Sequence, residues 1–544
     1  MTKTQQTSAA TSEATNIKET IESILIAFVL AFMFRAFVVE AFVIPTGSMA
    51  PTLLGAHMQF RCQQCAYEFT VNFSPSQRGG EDLSVPQQAI DPKGNKKIYT
   101  IICPNCGFKQ PKEKATAPDV HYGDRILVLK YLYLFHEPER WDVVVFKSPA
   151  SPEIYDYTQN YIKRLIGRPN ERVMLLDGDV YARRLATDNW VVQPKPKVVQ
   201  DALWRVVYDN DHHPQQALSM STEWKQPWIE RQGTEGWTTN PKSPGTRGGR
   251  VFRFDNLTGA GTLFFDPLAN HNANHFTDFL AYDITQSQAF DNSPTDTFAN
   301  FRPGISYTNV SDLRVTMFHE RSEGDGPLRL KLSKRGVTFI AELTPTQVRL
   351  LRSDGIGEER QIYSQEISLP PGKAARIDFA NVDYRVSLRI DEKLILQTTP
   401  ADYSPEVDSL KQEHDRTGDR PLPTVEIEAR NHKCLIDHLS LWRDVYYISR
   451  GSSGGELFWG HPDREIILGP GEYFVLGDNS PISGDARYWN EPINLPSESL
   501  FVEPGRVPER FMLGKAFFVY WPAGYRLLNT ISLIPNFGQM RFIH

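Results

Sequence analysis

Three short segments carry residue types that can do covalent chemistry together. The first is Pro45-Thr46-Gly47-Ser48-Met49-Ala50-Pro51-Thr52-Leu53. A serine hydroxyl such as that of Ser48 is a weak nucleophile until a base takes its proton. The second segment is Tyr161-Ile162-Lys163-Arg164-Leu165-Ile166. An amine held among apolar groups gives up its charge more readily, so its pKa falls. A neutral Lys163 can then accept the Ser48 proton, the serine–lysine form of nucleophilic catalysis. The third is Gly477-Asp478-Asn479-Ser480-Pro481-Ile482-Ser483-Gly484-Asp485-Ala486-Arg487, which packs a turn, hydroxyls and an acid–base pair together. Each segment also has a plainer reading. Ser48 would be a turn residue and Lys163 a solvated amine beside Arg164. The third segment would be a polar surface loop with a minor Asp485–Arg487 ion pair.

A second kind of chemistry is written in the cysteines. Four of the five form two C-x-x-C pairs, Cys62/Cys65 and Cys103/Cys106, and Cys434 is left over. Each pair offers two thiolates from one tight turn, and two pairs complete a tetrahedral four-cysteine site. Structural zinc is the reading we take. Two local disulfides or a redox pair are the rivals. Such a site has no open position and is expected to take no part in catalysis. Cys434 is expected simply to be buried. His212, His213, His271 and His275 are read as solvated loop histidines rather than ligands.

The elements that must position these groups follow from patterning. Residues 1–17 are polar and read as a disordered tail. The apolar stretch over residues 18–39 is expected to be a membrane helix. At ~1.5 Å per residue it nearly crosses a hydrocarbon core of ~30 Å. Arg35 within it would cost ~2.5–3.5 kcal/mol at the bilayer centre, unless it snorkels from near an end. The rival is a buried amphipathic helix. No small-residue cleavage site follows it. From Gly123 on, Val- and Ile-rich runs read as strands, with a hairpin turning at Asp177-Gly178-Asp179. Far along the chain, Leu328, Leu330 and Leu332 alternate with polar residues, as do Val386, Leu388 and Ile390. Period-two runs of this kind are half-buried antiparallel strands with one face in water.

Taken in order, the segments resemble the bacterial type I signal peptidases, or leader peptidases. Gly47 to Leu53 looks like the family's nucleophile segment after its membrane helix. Gly123-Asp124-Arg125-Ile126-Leu127-Val128 looks like the next family strand. Lys163-Arg164-Leu165-Ile166-Gly167-Arg168-Pro169 looks like the general-base segment, and Gly477 to Arg487 the closing one. The resemblance implies that Ser48 attacks the scissile carbonyl and Lys163 activates it. Ser483 would hold the Lys163 amine, and Asp485 and Arg487 would fix the loop carrying Ser483. The Ser48 N–H and the Thr46 hydroxyl would form the oxyanion hole. Phe42, Val43, Ile44 and Met49 would line shallow apolar pockets for small substrate side chains. The sequence departs from the family pattern at Asn170-Glu171, where Gly-Asp is usual, and at Ala486, where serine is usual.

The implied fold is mainly β, and it divides as follows. A cytoplasmic tail (1–17) precedes the membrane helix (18–39). A discontinuous catalytic domain takes 40–57, 118–200 and 444–544. A zinc-ribbon-like insert takes 58–117. A β-sandwich insert takes 201–443 and resembles concanavalin-like or laminin-G-like jelly rolls. No cofactor is needed for the chemistry, and zinc is structural. The implied partners are preprotein signal peptides and the lipid bilayer of a bacterial cytoplasmic membrane, with the catalytic part outside. The secretion translocase, and a glycan or protein ligand of the large insert, are further candidates. A net charge of −6 gives no case for nucleic-acid binding. Two rival functions stand beside this one. One is a membrane-anchored binding or scaffold protein with an unused protease core. The other is a serine–lysine protease acting on a folded regulatory protein.

Overall fold

The computed structural model describes residues 6–73, 102–108, 119–149, 159–187, 189–214, 224–239, 249–270, 275–278, 281–283, 308–355, 358–414, 421–450, 456–495, 499–523, 525–528 and 531–544. The elements that position the site are helix α1 (Gln6–Phe37) and strands β1 (Val39–Val43), β2 (Arg125–Leu129), β3 (Val143–Lys147) and β4 (Asn160–Gly167). They continue with β5 (Glu171–Leu176), β6 (Asp179–Arg184), β7 (Phe252–Phe265) and β8 (Leu313–Glu323). The last are β9 (Val425–Arg443), β10 (Glu472–Leu476) and β11 (Met512–Trp521).

Helix α1 begins at Gln6, so most of the expected disordered tail is helical. Once the apolar turns have nucleated a helix, extending it through Ala, Gln, Glu and Thr is cheap. Ile21, Leu25, Phe28, Phe32 and Phe37 are each more than half exposed. Among the described residues no helix is long and apolar enough to cross a membrane, against the expectation for residues 18–39. Glu22 and Arg35 confine the uninterrupted apolar run to Ile24–Phe34, whereas a span needs ~20 residues.

Two sheets build the part of the chain that holds Ser48 and Lys163. The first runs β1-β2-β11-β3-β4-β10 and ends on Val507–Pro508, with Arg541–Phe542 paired to β11. Its strand β4 is central, with Lys163 opposite Val144 and Leu165 opposite Val475. The second sheet is built on the β5–β6 hairpin, with Leu176 opposite Asp179 across the Asp177-Gly178 turn. Both faces of β3 are buried, which is why it reads as an unbroken apolar run.

The large insert is antiparallel β, with the long strand β9 as its spine. β7 and β8 flank it on either side. Leu328, Leu330 and Leu332 are buried as the alternation predicts. The opposite face is not simply in water, however. Arg329 is itself buried and is ringed by Glu342, Glu359 and Glu428. A hydropathy pattern cannot tell a solvated arginine from one buried among carboxylates.

The chain leaves the catalytic part and returns to it side by side, since Arg205 pairs with Arg443. The two parts are nonetheless not independent cores. Met174, Leu176 and Tyr181 of the β5–β6 hairpin pack in the same apolar cluster as Phe339, Val386 and Leu441 of the insert. Buried ion pairs cross the same seam. Lys334 of the insert bonds Asp179 at 3.1 Å and also Asp312. Lys195 bonds Asp383 at 2.6 Å and Asp444 at 2.7 Å.

Candidate active site

Ser48 sits in a single helical turn, Gly47–Met49, just past edge strand β1. Met49, Ile44 and Leu53 anchor that turn in an apolar cluster with Ile126, Val128, Val143 and Val145. Lys163 projects from β4 to meet it. Its Nζ donates to Ser48 Oγ at 2.7 Å and to the Ile162 carbonyl at 3.1 Å. Both side chains are buried, with 9% of Ser48 and 5% of Lys163 exposed. Burial lowers the Lys163 pKa; Asp485 and Asp478 partly offset it, and the amine settles at about 8. The pair can therefore pass a proton near neutral pH.

The Gly477–Arg487 segment forms a buried brace. Gly477 leads the chain so close to the nucleophile that a Cβ there would lie 2.2 Å from Ser483 Oγ and 2.4 Å from the Ser48 carbonyl oxygen. Asp485 accepts from Arg487 Nε and Nη2, both at 2.8 Å, and from Gly477 N at 2.9 Å. Arg487 also donates to Ser480 Oγ and to the Ile448 and Ser480 carbonyls. Neither charged side chain is exposed, so the surface-loop alternative does not hold. Ser483 is buried behind the site. The expected bond to Lys163 is not formed, and its Oγ has no hydrogen-bond partner among the described residues.

Arg164, the neighbour that suggested a solvated pair, is fully buried. It grips Asp478 through two bonds of 2.6 and 2.7 Å. The two sequence departures are accommodated. Asn170 takes a left-handed conformation with φ 61°, which asparagine tolerates better than most residues. Glu171 is buried and bonds Arg140 at 2.7 Å. Ala486 is fully buried.

Asn479 was missed as a separate contributor, hidden inside a motif read as a turn. Its backbone N–H donates to the Ser48 carbonyl at 3.1 Å and its Nδ2 to the Gly47 carbonyl at 3.2 Å. The same Nδ2 donates at 2.6 Å to Asp283, which belongs to the large insert. Tyr282 beside it packs its ring on Gly47. The insert therefore reaches the turn that carries Ser48, a contact no local pattern announces across so long a separation.

Of the proposed substrate wall, Ile44 and Met49 are core residues, whereas Phe42 is half-buried and Val43 is exposed. Thr46 is exposed beside Ser48. Among the described residues strand β1 pairs with β2 on one side only, which leaves a sheet edge running up to Ser48.

The four paired cysteines converge at a separate place. Cys62 and Cys106 sulfurs lie 3.6 Å apart, as do those of Cys65 and Cys103, and all four are free thiols. The two turns repeat each other: Cys62 N–H donates to Tyr67 O, and Cys103 N–H to Phe108 O. Zn–S bonds of ~2.3 Å in tetrahedral array put sulfurs ~3.8 Å apart, so the donor set fits zinc. The first turn contacts His212 through Cys65 O, and Asn105 ties the second turn to Asp209 and His212. His213 is buried against Trp224 rather than solvated, and His271 lies outside the described residues.

A family model described as "Signal peptidase, peptidase S26" matches residues 17–79, 107–221 and 419–521, just over half of the chain. Signal peptidase I of Pseudomonas aeruginosa is 41% identical over 85 residues, 15% of this chain and 26% of that one. Signal peptidase I of Rickettsia bellii is 26% identical over 173 residues, 31% of this chain and 42% of that one. The chain thus spans less than half the length of these relatives. Among solved structures, the carbohydrate binding module CBM66 from Bacillus subtilis aligns with 38% of this chain and 96% of its own, at 10% identity and a TM-score of 0.21.

Proposed function

The chain belongs to the signal peptidase family, peptidase S26, and we propose that it is a type I signal peptidase that cuts signal peptides from exported preproteins. In this reading Ser48 is the nucleophile and Lys163 the general base. The observation that carries it is the 2.7 Å contact between Lys163 Nζ and Ser48 Oγ in a pocket that holds the amine at about 8. The neutral amine takes the Ser48 proton as Oγ attacks the scissile carbonyl carbon. Lys163 then gives that proton to the leaving amine, and an acyl-Ser48 ester remains. Water, deprotonated by Lys163, hydrolyses the ester and restores the hydroxyl. The Ser48 N–H and the Thr46 hydroxyl receive the oxyanion. The substrate adds to the free edge of β1 as an extended strand, with Val43 and Phe42 against its side chains.

We assign the protein to the bacterial cytoplasmic membrane, anchored through α1 with the catalytic part outside. The exposed apolar side chains of α1 support this, as do Leu134 and Phe135, each more than three-quarters exposed. The four cysteines would hold one structural zinc, which ties the two turns together and supplies no catalytic step.

The deciding experiment incubates the detergent-solubilised full chain with a preprotein and sequences the product N-terminus. A single cut after a small residue is expected, and none with Ser48→Ala. Unchanged processing by Ser48→Ala would sink the assignment. For the metal, Cys103→Ser should lose one zinc equivalent by elemental analysis. Two intramolecular disulfides by mass spectrometry in the wild-type protein would replace the zinc reading with the disulfide one.

A further inference from the structure

The core of the large insert contains three side chains that the protease reading does not use. His319 on β8 and His432 and Cys434 on β9 bring their ligand atoms within 4.8 Å of one another. All three are buried, with 4%, 0% and 1% of their surfaces exposed. An apolar core usually leaves no polar group unpaired, because an orphaned donor or acceptor costs ~1–3 kcal/mol. Here two are orphaned in one spot. The Nε2 atoms of His319 and His432 have no hydrogen-bond partner among the described residues. The other nitrogen of His432, Nδ1, lies 2.8 Å from the Arg430 carbonyl. Donating there leaves the lone pair on Nε2, the arrangement that orients metal-binding histidines.

We propose that His319, His432 and Cys434 form a second metal site, for one thiophilic d10 ion, copper(I) or zinc(II), inside the large insert. Two imidazoles and a thiolate suit either ion. Ligand atoms on one ion lie ~3.2–3.8 Å apart, so side-chain adjustments of about an ångström close the site. The two rings meet edge to face at 6.1 Å between centroids. On binding, the Cys434 proton leaves to solvent and the thiolate takes its place as ligand. The neighbouring Arg321 is occupied by the Gly324, Gly326 and Leu343 carbonyls, so it does not compete for the sulfur as a hydrogen-bond donor. Its charge nevertheless favours the singly charged copper(I) over zinc(II). The ladder slips register between Arg321 and Glu323, next to the site.

The test uses the full chain in detergent, reduced, loaded with copper(I) or with zinc(II) in separate arms and freed of excess ion. Metal per chain is counted for wild type, Cys434→Ser and His319→Gln. Wild type should keep one equivalent more than either variant, in at least one arm. Equal metal content in all three proteins, in both arms, overturns the proposal. X-ray absorption on the loaded wild-type protein decides the matter should neither variant fold. A first shell containing nitrogen supports the second site, whereas a pure four-sulfur shell in both arms means that only the paired cysteines bind metal. Because the four-cysteine site holds no nitrogen ligand, its success or failure leaves this readout intact.

Discussion

Lys163 in the catalytic pocket and Lys195 and Lys334 in the seam are buried to the same degree, yet they end in opposite states. At most 5% of any of them is exposed. Burial lowers the pKa of all three. In the seam, Asp383 and Asp444 more than reverse it for Lys195, and Asp179 and Asp312 do so for Lys334. Both amines stay charged. Among the described residues Lys163 has no carboxylate in contact. Its nearest partners are a hydroxyl and a backbone carbonyl, and it settles at about 8. The carboxylates that might have paired with it are held elsewhere, Asp485 by Arg487 and Asp478 by Arg164. In the proposed mechanism the lysine is made reactive by keeping acids out of contact with it, and the buried Arg164 and Arg487 hold those acids.

The comparison breaks most visibly under Lys163→Met, which keeps the volume and removes the amine. Preprotein processing should fall by roughly 10⁴-fold, as expected when one member of a nucleophile–base unit is lost. Stability should hold or rise, because no buried charge is left unpaired. The same change in the seam should do the reverse. Lys334→Met leaves Asp179 and Asp312 facing each other without their cation, and removing one partner of a buried pair costs ~3–5 kcal/mol. Turnover of the protein that remains folded should be close to wild type. Denaturant melts beside processing rates measure both effects. Equal destabilisation by the two substitutions would mean that the pocket and the seam are not different environments.

Much of the pocket was legible because its chemistry is local. Ser48 follows a glycine in a stretch with no regular pattern, and Lys163 is flanked by Tyr161, Ile162, Leu165 and Ile166 in a strand-like context. The Asp177-Gly178 turn and the alternating leucines from Leu328 were legible for the same reason. The seam was not legible. Asp179, Lys195, Asp312, Lys334, Asp383 and Asp444 each look like ordinary surface charges in their own segments. Only the fold joins them across separations that no periodicity spans. Asp283 and Tyr282 were missed for the same reason, and so was the fate of the strand face carrying Arg329. The sequence shows where a domain is interrupted but not whether the two cores touch. The insert's contact with Gly47 and Asn479, together with the shared apolar cluster, implies that a chain lacking residues 203–443 will not fold as an intact protease.

The smallest predicted effect sharpens the comparison most, because it tests the distant carboxylates rather than the lysine. Asp485 raises the Lys163 pKa through space while bound to Arg487. Asp485→Asn removes that negative charge and nearly preserves the shape, leaving the Arg487 cation to act on Lys163 with less opposition. Both changes disfavour the protonated amine, so its pKa falls. Processing needs the neutral amine, so the wild-type rate should climb as pH rises through about 8 and level off above it. In Asp485→Asn the climb should begin earlier, displaced to lower pH by less than about one unit. The maximal rate should also drop, because the loop around Gly477 loses part of its brace, but the position of the climb is independent of that loss. Rates between pH 6 and 10 with a peptide substrate give both quantities. A climb displaced to higher pH would show that Asp485 does not act on the titrating group as argued. An unmoved climb would assign the titration to some group other than Lys163.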